Sequence, residues 1–162
     1  MNIRRIGPHD EAALQALLES DPEHAERLTG YPPGPSDALS LLIGRPEGVD
    51  AEAKTVLGGW EGDRLVGVLD LVRGHPDPSR ILIGLLFVAP SARGRGVGRA
   101  LLGAIDEHRG EATIARLAVV DATADATGFW ERAGFAATGG TRPWRYGRVE
   151  SVSRLFERPL PL

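Results

Sequence analysis

The chain has 162 residues, a formal net charge of −3 at pH 7, 42% hydrophobic and 25% charged residues, and no cysteine. Its length and apolar content suit one globular domain over residues 1–162 with a sizeable core. The slight acidity argues against general nucleic-acid or anionic-membrane binding, and the missing cysteine excludes disulfides, thiolate metal sites and a cysteine nucleophile.

In chain order, Asn2–Ile6 alternates and reads as a first strand. His9–Ser20 has the helical period, with Ala13, Leu14, Leu17 and Leu18 on one face. Asp21-Pro22 opens a second short helix that Gly30 closes. Tyr31-Pro32-Pro33-Gly34-Pro35 predicts a loop, Ser36–Ile43 a brief helix, and Gly44–Ala53 another loop. Lys54–Trp60 and Arg64–Arg73 predict strands joined by the hairpin signal Glu61-Gly62-Asp63. Gly74–Ser79 turns the chain into Arg80–Val88, the long central strand. Val97–His108 predicts a helix with Val97, Leu101, Leu102 and Ile105 inward, and Thr113–Val120 the next strand. Thr123 can cap a helix over Ala124–Arg132 that ends at Gly134. Late strands are expected near Phe135–Gly140 and Glu150–Phe156, with the basic aromatic segment Arg142-Pro143-Trp144-Arg145 in a loop between them. The opening MNIRRIGPHDEAALQ has no apolar signal region, and no apolar run approaches about 18 residues, so a soluble cytoplasmic protein is expected.

Residues 81–102, ILIGLLFVAPSARGRGVGRALL, carry the most chemistry. A buried strand ends at Val88, Pro90 follows, and Arg93-Gly94-Arg95-Gly96-Val97-Gly98 opens a helix. Such a turn aims free backbone N–H groups and the positive end of the helix dipole at one point, which suits a phosphate. The glycines admit close backbone approach, and Arg93, Arg95 and Arg99 add charge. No Lys-Ser or Lys-Thr follows, so this is not a P-loop; Gly94, Gly96 and Gly98 have the wrong last spacing for a dinucleotide fingerprint.

What the stretch does match is Arg-x-x-Gly-x-Gly preceded by an apolar strand and Val-x-Pro. A second segment, TADATGFWERAGF at 123–135, is similar to Asn-x-x-Ala-x-x-x-Tyr-x-x-x-Gly-Phe, with Ala126, Gly134 and Phe135 in register. On these two segments the chain resembles the GCN5-related N-acetyltransferases, the GNAT superfamily. The resemblance implies an α/β fold: a mixed, mostly antiparallel sheet flanked by helices. It implies acetyl-CoA as acyl donor, with its pyrophosphate on the amides of residues 94–99. Phe87 and Val88 would meet the pantetheine arm and the thioester carbonyl. A splay between the central strand and the Thr113–Val120 strand would admit the cofactor. Thr123 replaces the motif's asparagine and either bonds to the cofactor or caps the helix. Trp130 stands where many relatives place a tyrosine that protonates the departing thiolate; indole cannot do so, which favours packing on the core and beside the cofactor.

Relatives often carry a glutamate on the central strand, but Ile81–Val88 contains no acid. Asp70 interrupts the apolar run Leu65–Val72, and either takes a proton or holds an ammonium substrate in a cleft, or faces solvent. His75, at the end of the same segment, is a second candidate base, since histidine is the side chain suited to proton transfer near neutral pH. The Val88 backbone N–H would polarise the thioester carbonyl. Tyr31 and Tyr146 are the only phenols; His9, His24 and His108 read as helix-surface residues, and no metal-ligand spacing occurs. The expectation is an N-acetyltransferase acting on a primary amine of a small molecule or peptide by direct attack in a ternary complex. It would need no metal, nucleic acid or membrane, and a homodimer is possible. A catalytically weak acyl-CoA-binding sensor or scaffold is the alternative, because no base and acid are evident.

Overall fold

The computed structural model describes residues 1–161. The strands are β1 (Asn2–Arg5), β2 (Lys54–Glu61), β3 (Arg64–Arg73), β4 (Arg80–Val88), β5 (Ile114–Val120), β6 (Ala136–Tyr146) and β7 (Val149–Pro159). They form one sheet in the order β1-β2-β3-β4-β5-β7-β6, antiparallel except for the β4–β5 pair. The helices are α1 (Glu11–Glu19), α2 (Pro22–Thr29), α3 (Asp37–Ile43), α4 (Val97–Gly103) and α5 (Thr127–Arg132). This is the expected sheet flanked by helices.

Strand parity assigns the two faces. A Cβ on Gly67 would meet Leu101 and Val97, so the β3 residues in phase with it face α4. Phe87, out of phase, meets His24 of α2 edge-on. Helices α1–α3 therefore cover one face and α4 and α5 the other. The core fills both sides of β3 and β4: Val66, Val68, Leu69, Leu71 and Ile81 are almost fully buried, with Leu14 and Leu17 of α1 above and Leu101 and Ile105 below.

Three expectations need correction. The helix from Val97 ends as an α-helix at Gly103 and continues as 3-10 turns over Ala104–Glu107, because Gly103 weakens the helix while Ile105 must stay buried. Thr123 caps no helix: residues 121–126 are 3-10, Thr123 itself has non-helical dihedrals, and its hydroxyl donates to the Val120 carbonyl at 3.0 Å. The segment Arg142–Arg145 is no loop but the body of β6, paired with Ser153–Glu150 of β7. β6 is the sheet edge, where Pro143 can sit with its missing N–H toward solvent. The residues 138–140 bulge out opposite β7, which splits the periodic signal.

Candidate active site

The parallel β4–β5 pair is the structural centre of the site. Only Arg80–Leu82 pair with Ile114–Arg116; beyond them the two strands part, while β5 stays paired with β7 to Val120. The expected splay is thus present, opening toward Val88. Within it the exposed strand residues are Gly84 on β4 and Ala118 on β5, both small. The Ala89 N–H donates to Val66 of β3 at 2.9 Å. Amides alternate along an antiparallel strand, so the Val88 N–H points the other way, into the split. An unpaired donor at the mouth of a cleft is what a polarised carbonyl oxygen requires.

The turn after β4 forms one wall. Gly94 and Gly96 have φ of +75° and +84°, and a Cβ on either would meet nothing within 4 Å. Their dihedrals need glycine, and the space above them is open. Ala100 closes the first intrahelical bond, onto the Gly96 carbonyl at 3.0 Å, so the amides of Val97, Gly98 and Arg99 precede the helix ladder. Gly98 differs from its neighbours. A Cβ there would come 3.2 Å from Phe129, so this glycine permits close packing of α4 on α5. A groove of about 520 Å³ runs on from Arg99 between α4 and α5, lined also by Leu102, Phe129, Arg132 and Arg158.

The arginines of the turn separate. Arg93 donates from Nε to the Val88 carbonyl at 3.0 Å and pairs with Asp21, the residue that precedes α2, whose carboxyl it holds below the usual range. Arg95 pairs with Glu61 at 2.6 Å. Arg99 makes no ion pair among the described residues and lines the groove. Trp130 is buried between Phe129 and Phe135, edge-on to both at 5.1 and 5.3 Å, which is packing.

On the opposite face stands Asp70. The β3–β4 register shifts there: Asp70 faces Leu85 and Leu71 faces Ile83, so Gly84 is an extra residue. A Cβ on Gly84 would lie 2.5 Å from Asp70 Oδ2. The carboxylate therefore fills the space a β4 side chain would take, at the vertex of the split. Lys54 Nζ of β2 lies 2.9 Å from Oδ1, and both side chains are under one tenth exposed. Burial pushes the Asp70 carboxyl up from its usual range, and Lys54 pulls it back. Asp70 does not face solvent on a half-exposed strand.

Helix α2 closes the mouth of the split on this face. His24 packs on Phe87 at 5.2 Å, Asp21 holds Arg93, and Arg27 pairs with Asp125 beyond β5 at 3.2 Å. The β6–β7 hairpin docks on its end: Trp144 Nε1 donates to the Leu28 carbonyl at 2.9 Å, and the Arg148 N–H to Thr29 at 2.8 Å. Arg148 lies over the exposed Tyr31 ring, and Trp144 stacks on the exposed Tyr146. The sequence pattern puts His24 on a helix surface; it is instead part-buried at the mouth, and burial lowers its pKa. No signal in the sequence places a helix across a strand end. His75 lies in the β3–β4 turn, at the end of β4 opposite Val88. Nine residues of strand, about 27 Å, separate the two, so His75 is not brought to the split. Among the described residues no group of three His, Asp or Glu side chains is placed to hold a metal, and no helix is long and apolar enough to cross a membrane.

The sheet, the split and the glycine turn can be compared with known proteins. No curated protein matches the chain significantly. The fold is similar to the crystal structure of an acetyltransferase from Thermus thermophilus (21% identity, TM-score 0.75, 98% of this chain and 96% of that one). It is also similar to a ribosomal-protein-alanine N-acetyltransferase from Brucella melitensis (20%, 0.75, 99% and 100%). An aminoglycoside 6′-N-acetyltransferase complexed with coenzyme A shares it too (15%, 0.72, 100% and 99%). Residues 46–144, from the loop before β2 through the split, the glycine turn and most of β6, match the acetyltransferase (GNAT) domain family; this chain belongs to the GNAT acetyltransferases.

Proposed function

We propose that the protein transfers the acetyl group of acetyl-CoA to a primary amine of a small molecule or peptide, by direct attack in a ternary complex. The observation that carries this reading is the β4–β5 split, with the Val88 N–H directed into it, an open glycine turn at one wall and the Asp70 carboxylate at its vertex. The diphosphate of the donor lies on the amides of residues 94–99, and its nucleotide continues past Arg99 into the α4–α5 groove. The pantetheine arm follows the Phe87 and Val88 backbone between the strands. The amine arrives from the α1–α3 face, past Gly84 and Ala118, which are small enough to leave room.

The amine arrives as an ammonium and gives its proton to Asp70, or is held there until water takes it. Its nitrogen then attacks the thioester carbon. The Val88 N–H stabilises the oxyanion, the C–S bond breaks, and CoA leaves as a thiolate that takes up the second proton, shed by the nitrogen as the amide forms; the first passes from Asp70 to water. A thiol of pKa about 8.5 leaves with little assistance. Holding both substrates in the split supplies much of the rate.

The test is thiol release from acetyl-CoA against a panel of polyamines, aminoglycosides, amino acids and peptide N-termini, alongside the melting shift with CoA. Turnover with at least one amine is expected. A melting shift without turnover on any amine would make this an acyl-CoA-binding module. No shift at millimolar CoA with the protein folded would remove the reading altogether.

A further inference from the structure

The only lysine of the chain, Lys54, is buried against Asp70. A lysine is seldom buried, and is kept there only where its charge is matched. Its ammonium also donates to the carbonyl of Gly44, which follows α3. This second tie fixes Nζ from the side opposite the sheet. The contact with Asp70 is a close ion pair on Oδ1, which is fully enclosed. Oδ2 looks toward Gly84, the exposed β4 residue whose side chain is missing. The two oxygens thus differ: one is shut in beside a fixed cation and the other opens onto the split.

We propose that Lys54 is a positioning residue for acyl transfer: by holding Oδ1 of Asp70 it keeps that carboxylate ionised and leaves Oδ2 as the single oxygen that receives the acceptor ammonium across Gly84. This rests on the reading of Asp70 given above. The surroundings supply no substitute for Lys54. β4 offers Gly84 and Leu85 at this point, α1 buries Leu14 and Leu17 against the sheet, and Glu52 before β2 is exposed. Lys54 is the one charged group that acts on Asp70 among the described residues. Both roles open to Asp70, taking the proton or holding the ammonium, need the charged carboxylate. A buried carboxylate without a cation protonates instead. Gly84 is the other half of the device, because any side chain there would occupy the opening.

Carboxyl 13C NMR of the full-length protein, with the Asp70 signal assigned by its loss in Asp70→Asn, reads the titration without any ligand. In Lys54→Met the midpoint of Asp70 should rise by at least about one pH unit, the lower end for a close opposite charge. The acidic limb of kcat/KM, measured with the best amine of the panel, should rise with it, while the CoA melting shift is retained. Lys54→Arg, which keeps the charge, should hold the midpoint near its original value. Gly84→Ala keeps Lys54, sets a Cβ against Oδ2 that crowds the oxygen facing the split, and carries the test if Lys54→Met does not fold. It should lower kcat/KM at least tenfold with the CoA melting shift unchanged. An unmoved midpoint in Lys54→Met, or full turnover in Gly84→Ala, overturns the proposal. The origin of a failure is readable. If Asp70→Asn loses turnover but Lys54→Met leaves the midpoint in place, the role of Lys54 alone fails. If Asp70→Asn keeps full turnover, the reading of Asp70 itself fails, and this proposal with it.

Discussion

The two sides of the split are built by different means. The wall at residues 94–99 is one contiguous stretch whose proposed role rests on backbone: amides ahead of the helix ladder, and two glycines with left-handed dihedrals and open space above them. The opposite face is assembled from side chains far apart in the chain. Lys54, Asp70 and Gly84 come from three strands, and His24 meets Phe87. Leu28 meets Trp144, and Tyr31 meets Arg148. A backbone cradle offers the same amides whatever the neighbouring side chains are. A side-chain assembly depends on every strand register around it. On the proposed reading, the donor wall therefore tolerates changes in the side chains around it, whereas the acceptor face depends on how the strands of this chain are registered.

Four experiments can break or sharpen that contrast. The largest effect is expected at Gly96. Gly96→Asp should abolish CoA binding, because the side chain adds negative charge at the proposed diphosphate site. Gly96→Ala should cost only the left-handed strain, about 1–3 kcal/mol, and retain binding. The melting shift with CoA separates them, and normal binding by a folded Gly96→Asp would place the diphosphate elsewhere.

Next is Asp70→Asn. It should lower kcat/KM by about 10²–10⁴ and flatten the acidic limb of the pH profile, with CoA affinity unchanged. Parallel losses in turnover and CoA affinity would merge the two sides and defeat the contrast.

A smaller effect concerns His24. Burial depresses its pKa in the folded protein, so the unfolded chain takes up the proton first. Its contribution to stability is present above pH ~6.5 and is lost as pH falls through the folded value. Melting temperature measured from pH 7.5 to 5 should therefore fall less steeply in His24→Gln than in the parent chain. Identical slopes would mean that the histidine is solvated in solution.

The smallest change is expected for Trp130→Phe, which keeps the ring packed between Phe129 and Phe135. Turnover should stay within about tenfold, since one lost transition-state donor would cost about 10²–10³. A greater loss at unchanged melting temperature would bring the indole N–H into the reaction.

Much of the fold was legible along the chain. The central strand Arg80–Val88 and the β3 segment Arg64–Arg73 have the expected ends, and α2 and α3 lie within a residue of expectation. These elements have clear punctuation: Asp-Pro at a start, Gly at an end, a polar Gly turn between apolar runs. The β6–β7 hairpin was less legible, because its bulge interrupts the period of two and Pro143 imitates a loop. Among candidate site residues, the glycine turn and Val88 were legible as a contiguous motif. Asp70 stood out as an acid in an apolar run, with no clue to the side it faced. Arg93, a phosphate-ligand candidate in the sequence, fastens the start of α2 to the end of β4.

The sequence by itself determined the local geometry at Gly94–Gly96, because dihedral preference and hydrophobic period act over a few neighbouring residues. It also determined the candidacy of Asp70, the acid inside β3, and the solitude of Lys54. Only the tertiary structure decided that Lys54 reaches Asp70, that His24 rather than His75 stands at the mouth, and that β4 and β5 part after three residue pairs. The physical reason is register. A single extra residue at Gly84 changes what its strand presents to β3, and no pattern within one strand records how its neighbour slides against it.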